Sequence, residues 1–286
     1  MPKNFRYDEI GYWSEIKLDI IREYATAYSK IMAAQASPPL HHVYIDAFAG
    51  AGVHISRSTG DFVSGSPLNA MLVKPPFKEY HFIDLNAAKI ESLISVSRNR
   101  NDVKIYEGDC NRILLDKIFP QVRFQDYRRG LCLLDPYGLH LNWEVIRLAG
   151  SMQSLEIFVN FPVADMNRNV LWRNPEKVGP RQLDRMNCFW GDESWRNLAY
   201  ELQPGLFGDI SEKTSNKEIA KGFRRRLRDV AGFKFVPDPM PMFNSKNALV
   251  YYLFFASQNE TGKKIVGDIF SNHSQRRTSN GDQLIH

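Results

Sequence analysis

The sequence predicts an α/β protein built on a doubly wound, mostly parallel sheet. Three observations predict it. Between residues 42 and 161 short apolar runs alternate with amphipathic stretches. The runs have strand length and are rich in β-branched and aromatic residues, whereas the stretches between them carry helical spacing. Successive runs stop at glycine or aspartate. Alternation of this kind covers both faces of a parallel sheet with helices.

Element by element, residues 8–36 carry Ile10, Trp13, Ile16, Leu18, Ile20, Ile21 and Tyr24 at mixed three- and four-residue spacings, a helix that Ser37, Pro38 and Pro39 end. A strand over 42–48 runs into glycines. Then follow a strand at 80–84 and a helix at 87–96, a strand at 103–107 and a helix at 111–119, a strand at 131–135 and a helix at 143–148, and a strand at 155–161. Residues 162–212 break this rhythm with Arg, Asn, Trp and Pro, an insertion carrying short helices. Regular structure resumes with a helix at 217–230, strands at 233–237 and 249–256, and a helix at 262–270. The predicted organisation is an N-terminal helical segment (1–40), a core (41–161), the insertion (162–212), completion of the core (213–270) and a polar tail expected to fray (271–286).

With 286 residues, 43% hydrophobic and 24% charged, the chain can bury a sizeable core. No apolar run approaches the ~18 residues that span a bilayer, and the N-terminus has no apolar signal core, so no membrane partner is expected. Cys110, Cys132 and Cys188 are scattered and odd in number. This argues for reduced thiols in a cytoplasmic protein and against a disulfide framework or a metal site. His41 and His42 have no partner at metal-ligand spacing. A formal charge of +5 leans moderately toward polyanions.

The loop Asp46, Ala47, Phe48, Ala49, Gly50, Ala51, Gly52 follows the first strand directly. Glycines let the backbone turn sharply and approach a ligand; alone they describe any tight βα turn. Asp84 ends the second strand, where a carboxylate can accept both hydroxyls of a ribose. Asp109, after Gly108, ends the third and can take the exocyclic amine of an adenine. Asp135 ends the fourth. Four carboxylates along one rim of a parallel sheet mark a ligand crevice.

In this order the motifs resemble class I S-adenosylmethionine-dependent methyltransferases. More narrowly, Trp13 to Lys17, Ile45 to Gly52, Gly65 to Leu68 and Leu134 to Gly138 resemble the three-Cys-motif partner (TcmP-like) family, over most of the chain and least in 162–212. That resemblance implies S-adenosylmethionine as cofactor, with Asp46, Phe48, Gly50 and Gly52 around its methionine part, Asp84 on the ribose, Asp109 on the adenine, and Lys17 in the N-terminal motif. A solvated helix lysine is the plain alternative for Lys17. A three-Cys-motif protein is the implied partner.

Asp135, Pro136 and Tyr137 form the candidate reaction centre. The lone pair of a base amino group is delocalised into the ring. A carboxylate and a backbone carbonyl that accept its two hydrogens favour a pyramidal, nucleophilic nitrogen. Proline stiffens the backbone, and an aromatic ring can hold the base by stacking. The triplet is similar to the Asp-Pro-Pro-Tyr motif of methyltransferases acting on adenine N6 in large-subunit ribosomal RNA, with the aromatic one place early and the second proline missing. The alternative is a turn whose Tyr137 packs inward.

The insertion interleaves Arg168, Trp172, Arg173, Arg181, Arg185, Trp190, Trp195 and Arg196. Trp172, Arg173, Arg181 and Arg185 are the candidate contacts to a single-stranded or flipped RNA or DNA substrate; a lid whose tryptophans cover the sheet fits the composition equally. Arg224, Arg225 and Arg226 are either a phosphate contact or a solvated run. The expected function is methyl transfer to an amino group of nucleic acid, adenine N6 favoured. The alternatives are a small-molecule or protein methyltransferase, and a non-catalytic module that binds the cofactor or docks on a partner.

Overall fold

Seven strands form one sheet in the order β3-β2-β1-β4-β5-β7-β6, where β1 is His41–Asp46, β2 Glu79–Asp84, β3 Val103–Glu107, β4 Arg128–Leu134, β5 Leu155–Phe161, β6 Met240–Phe243 and β7 Leu249–Ala256. The computed structural model describes residues 7–204 and 210–281. β1 pairs parallel with β2 and β4, β2 with β3, and β4 with β5; β7 alone runs antiparallel, between β5 and β6. This is a doubly wound, Rossmann-like α/β architecture. The strand order reverses between β1 and β4, so a crevice opens there at the carboxyl edge.

Both faces of the sheet are covered, as its double-sided apolar strands require. Val43, Ile45, Cys132, Leu134, Ile157 and Val159 point to one side. There they meet α4 (Cys110–Ile113), α5 (Trp143–Met152), α7 (Pro180–Trp190) and α9 (Asn216–Asp229). Tyr44, Phe82, Leu131, Leu133 and Phe158 point to the other, against α1 (Tyr12–Ala33), α2 (Ser66–Met71), α3 (Ala87–Val96) and α10 (Glu260–Gly281).

Several elements differ from expectation. The first helix begins at Tyr12; Glu9 and Ile10 instead pair with Ile55 and Ser56 beside a hairpin of 53–56 and 62–64 that the sequence pattern did not reveal. Residues 233–237 are not a strand. Only Phe235 bridges, to Ser257, because Pro237 and Pro239 lack the donors a ladder needs. The strand lies six residues on, as β6, where Pro241 is tolerated at the sheet edge. The helix predicted at 111–119 is shorter, α4 passing into a π turn at Leu114–Ile118. The tail does not fray at 271: α10 continues to Gly281, with His273 buried against α1 and its Nε2 3.1 Å from Glu23 Oε1. Residues 282–286 lie outside the described part. The insertion holds α6 (Val163–Asn169), α7, α8 (Arg196–Ala199) and a hairpin of 200–203 with 210–213, packed on the same core. Among the described residues no helix is long and apolar enough to cross a membrane.

Candidate active site

The carboxyl ends of β1, β2, β3 and β4 border a cleft of ≈650 Å³ lined by Phe48, Asp84, Gly108, Asp109, Tyr137 and residues of α7. Of the glycine loop only Ala47 and Phe48 line it; Gly50 and Gly52 do not, and Gly50 reaches the cleft's edge only through its N–H bond to Asp84. Gly50 and Gly52 have φ of +66° and +81°, a region other residues enter at a cost. Gly65 presses on the same loop. Its N–H donates to Gly52 O at 2.7 Å, and a Cβ at Gly65 would lie 3.0 Å from the Gly52 backbone. The motif 65–68 therefore buttresses the loop instead of meeting a ligand.

Asp84 and Asp109 both line the cleft. Asp84 is tied at each oxygen, Oδ2 accepting from Gly50 N at 2.9 Å and Oδ1 from Asn86 N at 2.8 Å. Each oxygen keeps a second lone pair for a ligand hydroxyl. Asp109 caps α4, with Oδ1 accepting from the Asn111 backbone N–H at 3.0 Å and from Asn111 Nδ2 at 2.9 Å. Asn111 was not singled out from sequence. Its amide also donates to His140 O and accepts from Asn142 N, locking the loop after β3 to the loop after β4.

Asp46 does not reach the cleft. It is fully buried, accepting from Ser66 Oγ at 2.5 Å and Phe48 N at 3.2 Å. Burial pushes its carboxyl up to about 7, against the pull of those two hydrogen bonds. Its place is to hold the glycine loop against α2. His54, also unflagged by sequence, sits behind that loop, 3.2 Å from a Cβ built at Gly65. Burial lowers its pKa.

Lys17 is neither solvated nor in this cleft. It is 9% exposed, and its Nζ meets Asp135 Oδ2 at 2.5 Å. Burial works against its charge, but the Asp135 carboxylate prevails and holds the pKa above the ordinary lysine value. Asp135 follows β4 directly, and Pro136 is buried, its carbonyl accepting from Asn160 Nδ2 at 3.2 Å. Tyr137 does not pack inward: it is 72% exposed, lines the cleft, and carries Lys89 Nζ 5.4 Å from its ring centroid. Asp165 of α6 supports this loop by accepting from Leu139 N at 3.3 Å.

The structure divides the insertion. Arg181 and Arg185, one turn apart on α7, line the cleft, and Arg185 pairs with Asp165 at 3.5 Å. Trp172 and Arg173 are exposed outside it, the Trp172 indole donating to Arg168 O. Trp190 and Trp195 are 0% and 1% exposed, so they are core and not a stacking platform. Within the arginine run, Arg224 pairs with Asp238, and Arg226 pairs with Asp192 and lies 4.7 Å from the Trp143 ring. These two hold α9 to its neighbours, while Arg225 is exposed.

No family model matches the chain, and no curated protein matches it. Solved structures with a similar path include protein LPL1258 of Legionella pneumophila, at 12% identity and TM-score 0.49, covering 87% of this chain and 89% of that one. A proposed methyltransferase of Thermobifida fusca is similar at 12% identity and TM-score 0.41, covering 84% and 80%. TYW2 of M. jannaschii, solved with AdoMet, is similar at 10% identity and TM-score 0.33, covering 86% and 76%.

Proposed function

We propose that this chain is an S-adenosylmethionine-dependent methyltransferase acting on an amino nitrogen, with adenine N6 of RNA or DNA the favoured acceptor. The observation that carries the reading is one cleft, at the point where the strand order reverses, lined together by Asp84, Asp109 and Tyr137, the last of the Asp135–Tyr137 triplet. The residues fit the cofactor. Gly108, with φ of +139°, brings bare backbone to the cleft, Asp84 offers lone pairs to two ribose hydroxyls, and Asp109 offers a carboxylate to an adenine amine. Bound S-adenosylmethionine supplies an electrophilic methyl group.

The chain's own part is positioning and electrostatics. Lys17 pairs with Asp135 and fixes it, so its carboxylate accepts one amine hydrogen while the Pro136 carbonyl, held by Asn160, accepts the other. Tyr137, exposed at the cleft, offers a ring face to a planar group bound there. A small-molecule acceptor is the second reading. Burial of Trp190 and Trp195 favours it, since Trp172 is then the one exposed tryptophan the insertion offers a polynucleotide.

The test is calorimetric titration with S-adenosylmethionine, followed by incubation of the protein with methyl-labelled cofactor and pools of RNA, DNA and cell metabolites. Micromolar binding and label in N6-methyladenosine support the reading. Folded protein that does not bind the cofactor overturns it; label confined to metabolites moves the acceptor to the second reading.

A further inference from the structure

A second cleft, of ≈550 Å³, opens on the same carboxyl edge beyond β5, where β6 turns into β7. Its walls are aromatic. Tyr12, 49% exposed, stands edge-on to Trp13 with ring centroids 5.7 Å apart, and Trp13 lies 5.8 Å from Phe243. Tyr251 also lines it, and the Lys17 ammonium stands 5.2 Å from the Tyr251 ring centroid. Because the same ammonium is bonded to Asp135, the Asp135–Lys17 pair lies between the two clefts. Tyr137, two residues from Asp135, faces the first, and Tyr251 faces the second. Arg57 stands at the second cleft, its Nε 4.0 Å from Glu9 Oε2 and its side chain 66% exposed, and Asn244 adds an amide to the lining.

Tyr12 is exposed and Trp13 and Phe243 are half-buried, and rings held at an angle to each other present edges and faces suited to a planar guest. A guanidinium beside them suits a phosphate. A carboxylate behind the floor suits the amino edge of a base. We infer that the second cleft is the acceptor site and takes one unstacked nucleotide of a single strand, with its base among Tyr12, Trp13 and Phe243, its phosphate at Arg57 and its amino edge toward Asp135. The displacement needs the acceptor nitrogen and the departing sulfur in line on opposite sides of the methyl carbon; the N–C bond forms as the C–S bond breaks, and S-adenosylhomocysteine is left in the first cleft. The inference rests on the proposed methyltransferase reading and names where its substrate sits. It transfers single-strand contact from the insertion, where sequence placed it, to the start of α1 and the β6–β7 turn.

The test uses the full chain saturated with S-adenosylhomocysteine and a single-stranded hexanucleotide, RNA or DNA, carrying one 2-aminopurine. Saturable quenching of the probe is expected. Trp13→Ala and Phe243→Ala should each weaken it roughly five- to a hundredfold, the range for loss of one stacking partner. Arg57→Gln should lower the salt slope by about one, the value for one lost phosphate contact. S-adenosylhomocysteine affinity, read on every variant, certifies that each is folded, and the exposed Tyr12→Ala serves if Trp13→Ala is not. Quenching that persists undiminished in the Trp13, Phe243 and Tyr12 variants, or that is lost only in Arg181→Ala, overturns the inference and leaves the methyltransferase reading standing. Absence of quenching with cofactor product bound likewise overturns it. Failure of wild type to bind S-adenosylhomocysteine strikes the methyltransferase reading itself.

Discussion

The two clefts at the carboxyl edge are built in opposite ways. The first is lined largely by the loops that directly follow β1 to β4, so its carboxylates are the residues at which apolar runs stop. The second joins the start of α1, the turn after the 53–56 strand and the β6–β7 turn. Its contact from Tyr251 Oη to Trp13 O links residues 238 positions apart. The difference teaches that in a doubly wound fold a site made of strand ends is nearly a one-dimensional pattern. A site made where the chain's ends return to the sheet is not.

Four measurements would break or sharpen this contrast. Asp135 is the carboxylate proposed to meet the acceptor amine, so Asp135→Asn should have the largest effect. Turnover should fall by roughly 10²–10³, the scale for losing one preorganised polar contact to the reacting group, with cofactor affinity within a few fold. Proportional loss of cofactor binding in calorimetry would place Asp135 in the first cleft alone. Asp84→Ala tests whether the clefts are separate. Loss of a carboxylate that accepts ribose hydroxyls corresponds to about 1.5–3 kcal/mol, so cofactor affinity should fall roughly ten- to a hundredfold while oligonucleotide quenching stays within about twofold. Equal losses of both would merge the two sites.

Asp46 probes the scaffold of the first cleft through pH. Its pKa rises on folding to about 7, so the folded state binds the proton more tightly than the unfolded chain. The associated stability is full below the ordinary carboxyl pKa and is lost as pH rises to about 7. Asp46→Asn, which still accepts from Phe48 N, should flatten that decline and raise Tm by roughly 2–4 °C near pH 7. Thermal unfolding between pH 4 and 8 checks it, and parallel curves for variant and wild type would refute it. Trp172→Ala should do least. The ring lies outside both clefts, and its indole donates to the Arg168 carbonyl of its own segment. Oligonucleotide affinity should therefore change by less than about twofold; a tenfold loss would return the polynucleotide to the insertion.

Legibility followed the same division. Alternating runs gave the strand order's raw material, and the rim carboxylates Asp84 and Asp109 were readable because a parallel strand delivers its last residue to the edge whatever packs around it. Asp46 was readable as a strand end but not as a buried prop, since that depends on Ser66 reaching it from twenty residues on. The π turn at Leu114–Ile118 and the part of α10 beyond Phe270 have no composition signal to separate them from ordinary helix and polar tail. Phe233 to Val236 looked like a strand because they are apolar, yet they are apolar as core-packed loop, and prolines deny them a ladder.

What the sequence by itself determined is the doubly wound sheet, its glycine turn and the acidic rim, because these rest on periodicity and on backbone conformations encoded within a few residues. The tertiary structure alone decided that Lys17 neutralises Asp135, that Tyr137 faces outward while Trp190 and Trp195 are core, and that Tyr12, Trp13, Phe243 and Tyr251 enclose a second cleft. An aromatic or a charged side chain is compatible with core, ion pair or binding surface alike. Which of these it becomes depends on the segment that folds against it, and that partner is set by the strand order rather than by its neighbours in the chain.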